Sequence, residues 1–100
     1  MKDSLIIASK YKKTIEYIFK ITDNYPHKEL ELKSRIINTS YDTLELIYKS
    51  DKKSIIPKLK MLDYYLKLSY DKKIISKRKY EVISNYLLEI VKMVFGWVKE

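Results

Sequence analysis

Cysteine is missing from this 100-residue chain, and turn formers are nearly so, with two prolines and one glycine. The first absence removes disulfides, thiolate metal ligation and thiol redox chemistry together. The second excludes a loop-rich β fold, and 46% apolar residues exclude disorder. His27 is the single histidine. A lone histidine without cysteine argues against a transition-metal site, and Glu29 and Glu31 beside it suit the positive N-terminal end of a helix. Glu45, Glu81 and Glu89 are isolated carboxylates, so no acid–base pair for hydrolysis is in view. No glycine-rich loop exists to cradle a nucleotide phosphate. No catalytic residue, metal or cofactor is therefore expected. No apolar run approaches the ~18 residues that span a bilayer, and the opening stretch is too short for a signal-peptide core. A cytoplasmic protein without membrane contact is the expectation.

What the chain has is helical periodicity. Ala8, Tyr11, Ile15, Ile18 and Thr22 recur at threes and fours and predict a first helix from about Ser4 to Thr22, capped by Asp3 or Ser4. Asp23, Asn24, Tyr25 and Pro26 end it. A second helix is predicted from about His27 to Ser50, with Leu30, Ser34, Ile37, Tyr41, Leu44 and Tyr48 as its core stripe and Ile36, Ser40, Thr43 and Ile47 flanking it. The next break falls at Ser50 to Ser54. If Ser54 caps the third helix, Pro57 lies in its first turn, where a missing N–H costs nothing. Ile55, Leu59, Leu62, Leu66 and Ser69 or Tyr70 then face the core. Ser76 is the expected cap of a fourth helix running from Lys77 to about Val98, with Tyr80, Ile83, Leu87, Ile90, Val94 and Trp97 inward. Helices joined by short links pack beside their sequence neighbours. The expected fold is all-α, a single domain over residues 1–100 forming an up-down-up-down antiparallel four-helix bundle.

Apolar residues exceed one stripe per helix. Leu5, Ile6, Ile7, Tyr17, Phe19 and Ile21 on the first helix, with Val82, Tyr86, Leu88, Val91, Met93, Phe95 and Val98 on the fourth, suggest a second buried surface and hence self-association; the alternative is ordinary scattered surface apolar groups. Gly96, between Phe95 and Trp97, reads as a close-packing contact between helices or subunits, since alanine would serve a plain helix better.

Charge is the other excess. Twenty-one Lys and Arg against thirteen Asp and Glu give +8. Polyanions are the commonest partners of such a domain, although a lysine-rich composition also follows from an AT-rich genome. Lys49, Lys52, Lys53, Lys58 and Lys60 surround the second link; Lys72, Lys73, Lys77, Arg78 and Lys79 surround the third. In an up-down bundle these clusters lie at opposite ends, with Lys28 beside the second of them. Lysine is a flexible point charge and only Arg35 and Arg78 offer bidentate geometry, so binding to DNA and RNA is expected to be phosphate-led, with weak sequence preference. Among the ten tyrosines, Tyr11, Tyr41, Tyr48 and Tyr80 are expected in the core, while Tyr64, Tyr65 and Tyr70 stay open between core and base-stacking roles.

Pro26-His27-Lys28, Arg35, the Tyr41-Asp42-Thr43-Leu44 stretch with Leu46, Arg78-Lys79-Tyr80-Glu81, Glu89-Ile90 and Gly96-Trp97-Val98-Lys99 together resemble the accessory variability determinant proteins of diversity-generating retroelements. These sit within a wider four-helix-bundle family that includes proteins encoded in intervening sequences of bacterial ribosomal RNA genes. The resemblance spans about Ala8 to Glu100. It implies a basic homopentamer, not an enzyme, that binds DNA and RNA and works with the element's reverse transcriptase. The alternative is a protein-only oligomeric scaffold, or a ribosomal-RNA-insert protein, with no essential nucleic-acid role.

Overall fold

A computed structural model of the protein describes residues 3–97, so Val98 and residues 99 and 100 lie outside the described residues. The chain forms α1 (Asp3–Thr22), a 3-10 turn (His27–Glu29), α2 (Leu30–Tyr48), α3 (Lys52–Asp71) and α4 (Lys77–Phe95). α1 packs on α2 and α4, and α3 packs on the same two. The result is the expected four-helix bundle. Ala8, Tyr11, Ile15, Ile18 and Thr22 of α1 are buried against Ile55, Leu59, Leu62 and Leu66 of α3 and its neighbours, together with Ile83, Leu87, Ile90 and Val94 of α4.

Helix α2 is turned relative to expectation. Its core face is Leu32, Ile36, Ser40, Thr43 and Ile47, whereas Leu30, Ser34, Tyr41 and Tyr48 are exposed and Ile37 and Leu44 half-buried. The small stripe wins because its hydroxyls close on their own helix. Ser40 Oγ donates to Ile36 O and Thr43 Oγ1 to Thr39 O, each at 2.7 Å, so burial leaves neither hydroxyl unpaired. Small side chains also let α1 come close enough for Tyr11 to reach α2. Of the tyrosines expected inside, Tyr11 is fully buried, Tyr80 is half-buried, and Tyr41 and Tyr48 face out.

The links correct two boundaries. α2 stops at Tyr48, with Ser50 left-handed at φ 58°; Ser50 N–H bonds Ile47 O and Asp51 N–H bonds Leu46 O. α3 ends the same way, with Lys73 at φ 63°, Lys73 N–H on Tyr70 O and Ile74 N–H on Ser69 O. Both are Schellman motifs that use a residue other than glycine at the left-handed position. Because the first turns the chain so tightly, α3 restarts at Lys52 rather than after Ser54. Asp51 takes the N-cap position, and Pro57 falls inside the helix, where Lys53 O loses an intrahelical donor. Ser76 caps α4 as expected, its side chain accepting from Lys79 N–H at 3.2 Å. α4 ends at Phe95, short of the expected Val98.

Candidate nucleic-acid interface

Two cross-links fix the ends of the bundle. Lys72 Nζ reaches Glu29 Oε1 at 2.7 Å, which joins the α3–α4 link to the α1–α2 link. At the other end Lys52 donates to Trp97 O at 3.3 Å and lies 5.6 Å from the Trp97 ring centroid. Lys28, Lys72, Lys73, Lys77, Arg78 and Lys79 therefore belong to one end, and Lys49, Lys52 and Lys53 to the other, with Lys58 and Lys60 on the first turns of α3 away from it. The molecule is 43 Å long, several Debye lengths at physiological salt, so the clusters act separately.

Many of these cations are already engaged. Lys49 meets Glu45 at 2.6 Å, Lys58 meets Asp42 at 3.6 Å and Lys77 meets Glu81 at 3.9 Å. The Lys49 hydrogen bond holds the Glu45 carboxyl below its ordinary range, and Glu45 raises Lys49 in return. These pairs are solvated and contribute little to stability, but they reduce the charge offered to a partner. Among the described residues, Lys28, Lys53, Lys60, Lys73, Arg78 and Lys79 form no ion pair.

The hollow between α2 and α3 shows the same neutralisation. It is lined by Lys28, Arg35, Lys72, Glu29, Glu31, Tyr64 and Tyr65 among others. Glu31 takes Arg35 at 3.2 Å and Glu29 takes Lys72.

The opposite seam differs. α1 and α4 enclose an open groove of about 430 Å³ lined by Lys10, Lys13, Thr14, Glu16, Tyr17, Lys20 and Tyr86. A second hollow shares Tyr17 and Lys20 with it and is lined further by Ile21, Asn24, Ser76, Arg78 and Lys79. Five cations thus line two hollows that share Tyr17 and Lys20, against the single carboxylate of Glu16; among the described residues Lys10 alone of the five is paired, with Glu89 at 3.4 Å. Tyr17 and Tyr86 meet edge to face across the floor, ring centroids 5.4 Å apart. Burial pushes the Tyr17 phenol up, the Tyr86 hydroxyl adds to the rise and the charge of Arg78 opposes it. Sequence reasoning placed Arg78 and Lys79 among the binding residues but missed Lys10, Lys13, Lys20 and the tyrosine pair. Their signal was present: Lys10, Lys13, Tyr17 and Lys20 recur at helical spacing on one flank of the α1 core stripe.

At the far end Trp97 is 7% exposed and Phe95 76%. Gly96 has φ −82°, so its backbone does not require glycine. A Cβ there would meet Lys92 O at 3.5 Å and Met93 O at 3.8 Å, ordinary contacts with its own helix. Within the chain the close packing at this tip is made by Trp97. His27 is exposed in the 3-10 turn, and no group of three His, Asp or Glu among the described residues is arranged to hold a metal ion. No described helix is long and apolar enough to cross a membrane.

The family model of bAvd-like proteins matches residues 5–100, nearly the whole chain. That family is not a catalytic one. No curated protein matches the sequence.

Proposed function

Because the chain belongs to the bAvd-like family, we propose that it is a basic, non-enzymatic accessory subunit that binds DNA and RNA and assists a retroelement reverse transcriptase in mutagenic retrohoming, in the cytoplasm. The observation that carries this reading beyond the family match is the distribution of charge. A chain of net charge +8 holds six ion pairs among its described residues, and Lys13, Lys20, Arg78 and Lys79, which line the α1–α4 seam, take part in none of them. Uncompensated lysines release counterions when they meet a phosphate backbone, which favours association with little regard to sequence.

The assembly that serves this function is a homo-oligomer, proposed as a pentamer. Leu30, Tyr41 and Tyr48, exposed on α2 with the half-buried Ile37 and Leu44 between them, support it, since they recur at the spacing by which helices bury against helices, with Phe19 of α1 packed on Tyr41 at a centroid distance of 5.6 Å. The same stripe favours the second reading, a protein-only scaffold. Inspection of the neighbouring genes, and co-expression with any reverse transcriptase encoded there, separates the two. Co-purification at moderate salt after nuclease treatment supports the accessory role. An isolated gene with no reverse transcriptase or paired repeats nearby, or a chain that fails to co-purify, favours the scaffold.

A further inference from the structure

We propose that the α1–α4 groove is a seat for single-stranded nucleic acid, in which Lys13, Lys20, Arg78 and Lys79 hold phosphates while an unstacked base lies on the Tyr17–Tyr86 pair. The inference rests on the nucleic-acid reading above and adds to it a place, a strandedness and a contact mode.

Three observations converge on this groove. The first is charge that has no partner inside the fold. Among the described residues, Lys13, Lys20, Arg78 and Lys79 form no ion pair, and they face the groove from both walls. The second is the position of the aromatic rings. Tyr86 is 37% exposed, and its edge-to-face contact with Tyr17 holds both rings in place while leaving ring surface open to the groove. A ring already fixed by a neighbour loses little freedom when a base stacks on it. The third is shape. From Lys10 to Lys20 along α1 is about 15 Å, the length of about four stacked nucleotides at 3.4 Å each.

Strandedness follows from the floor. A duplex presents phosphates outward and keeps its bases in its own stack, so it would engage the lysines and leave the rings unused. A single strand uses both, in the combination of cationic track and aromatic platform by which sequence-tolerant single-strand binders work.

The test compares fluorescein-labelled 12-nucleotide oligo(dT) and oligo(rU) with a 12-base-pair duplex at about 50 mM salt, using the parent, Tyr86→Leu, and the triple variant Lys20→Gln, Arg78→Gln, Lys79→Gln. Lys20, Arg78 and Lys79 are solvent-facing cations, and circular dichroism and melting are used to check that each variant is folded. Tyr86→Leu is expected to weaken both single strands about tenfold or more, the size of one base–aromatic stack, while duplex affinity stays within about twofold. The triple variant is expected to weaken all three ligands and flatten their salt dependence. If the parent binds but Tyr86→Leu weakens single strands and duplex equally, or neither, the groove is not a single-strand seat, although the broader nucleic-acid reading stands. Should the parent bind none of the three, that reading fails and the groove assignment with it. A difference between oligo(dT) and oligo(rU) in the parent assigns the strand to DNA or RNA.

Discussion

The Tyr11 hydroxyl donates to the carbonyl oxygen of Ser40 at 3.0 Å, across the seam between α1 and α2. Both residues are fully buried, and burial pushes the Tyr11 phenol up, so it stays a neutral donor. The bond selects which face of α2 meets α1. Tyr11→Phe should cost about 0.5–1.5 kcal/mol and lower Tm by several degrees in a domain of this size. Tyr25 offers the contrast: its buried hydroxyl makes no hydrogen bond of full geometry among the described residues, with the Ser69 side chain beside it as a marginal partner. Tyr25→Phe should be neutral or stabilising in the same melting experiment. Equal losses at the two positions would contradict this assignment.

The left-handed residues closing α2 and α3 carry conformational strain that glycine would remove. A residue with a Cβ in that region costs about 1–2 kcal/mol, partly offset by glycine's larger unfolded-state entropy. Lys73→Gly and Ser50→Gly should each stabilise the chain by about 0.5–1 kcal/mol, seen as a rise in the urea midpoint with an unchanged slope. A fall in the midpoint would mean that the side chains of Lys73 and Ser50 contribute more than their backbones cost.

How much of this was legible in the sequence differs by helix. α1, α3 and α4 each carry one dominant apolar stripe whose members are buried, except that Tyr80 of α4 is half-buried, and Ile7 and Ile21 of α1, which the sequence places in a surplus second surface, are buried in the core as well. α2 carries two stripes side by side, and apolarity alone selects the one with Leu30, Tyr41 and Tyr48. Packing distance and the self-satisfied hydroxyls of Ser40 and Thr43 decide for the other, and neither is visible in a hydropathy pattern. The Schellman turns were also hidden, since Ser50 and Lys73 give no glycine signal. For the candidate site, charge runs around the links drew attention to the ends of the bundle. The groove is assembled from α1 and α4, whose basic residues are distant in sequence and meet only because the first and last helices of an up-down bundle are neighbours.

Two surfaces are candidates for contact between copies, and mass in solution separates them. Tyr41→Ser with Tyr48→Ser removes the exposed rings of the α2 stripe. Gly96→Leu adds bulk where the chain itself makes only ordinary contacts. Light scattering with size exclusion is expected to show the parent as a multiple of the 12.1 kDa chain, proposed as five, and the double tyrosine variant as smaller but still helical. Gly96→Leu is expected to disrupt assembly while leaving the helical spectrum intact. A parent that is monomeric at micromolar concentration contradicts the assembly, and a Gly96→Leu oligomer of parental mass removes Gly96 from the interface.

The slope of log affinity against log salt, measured between about 50 and 200 mM for a single-stranded oligonucleotide, bears most directly on whether this protein is a phosphate-binding subunit. Each engaged cation contributes about 0.7 to that slope on a single strand. The parent should bind at about 50 mM salt and weaken steeply as salt rises, and replacing Lys20, Arg78 and Lys79 with glutamine should reduce the slope by about 2. Replacing Lys49 and Lys58, which are ion-paired to Glu45 and Asp42, should reduce it far less. No binding at about 50 mM salt, or an equal reduction from the two sets of substitutions, would contradict a nucleic-acid function carried by the unpaired cations of α1 and α4.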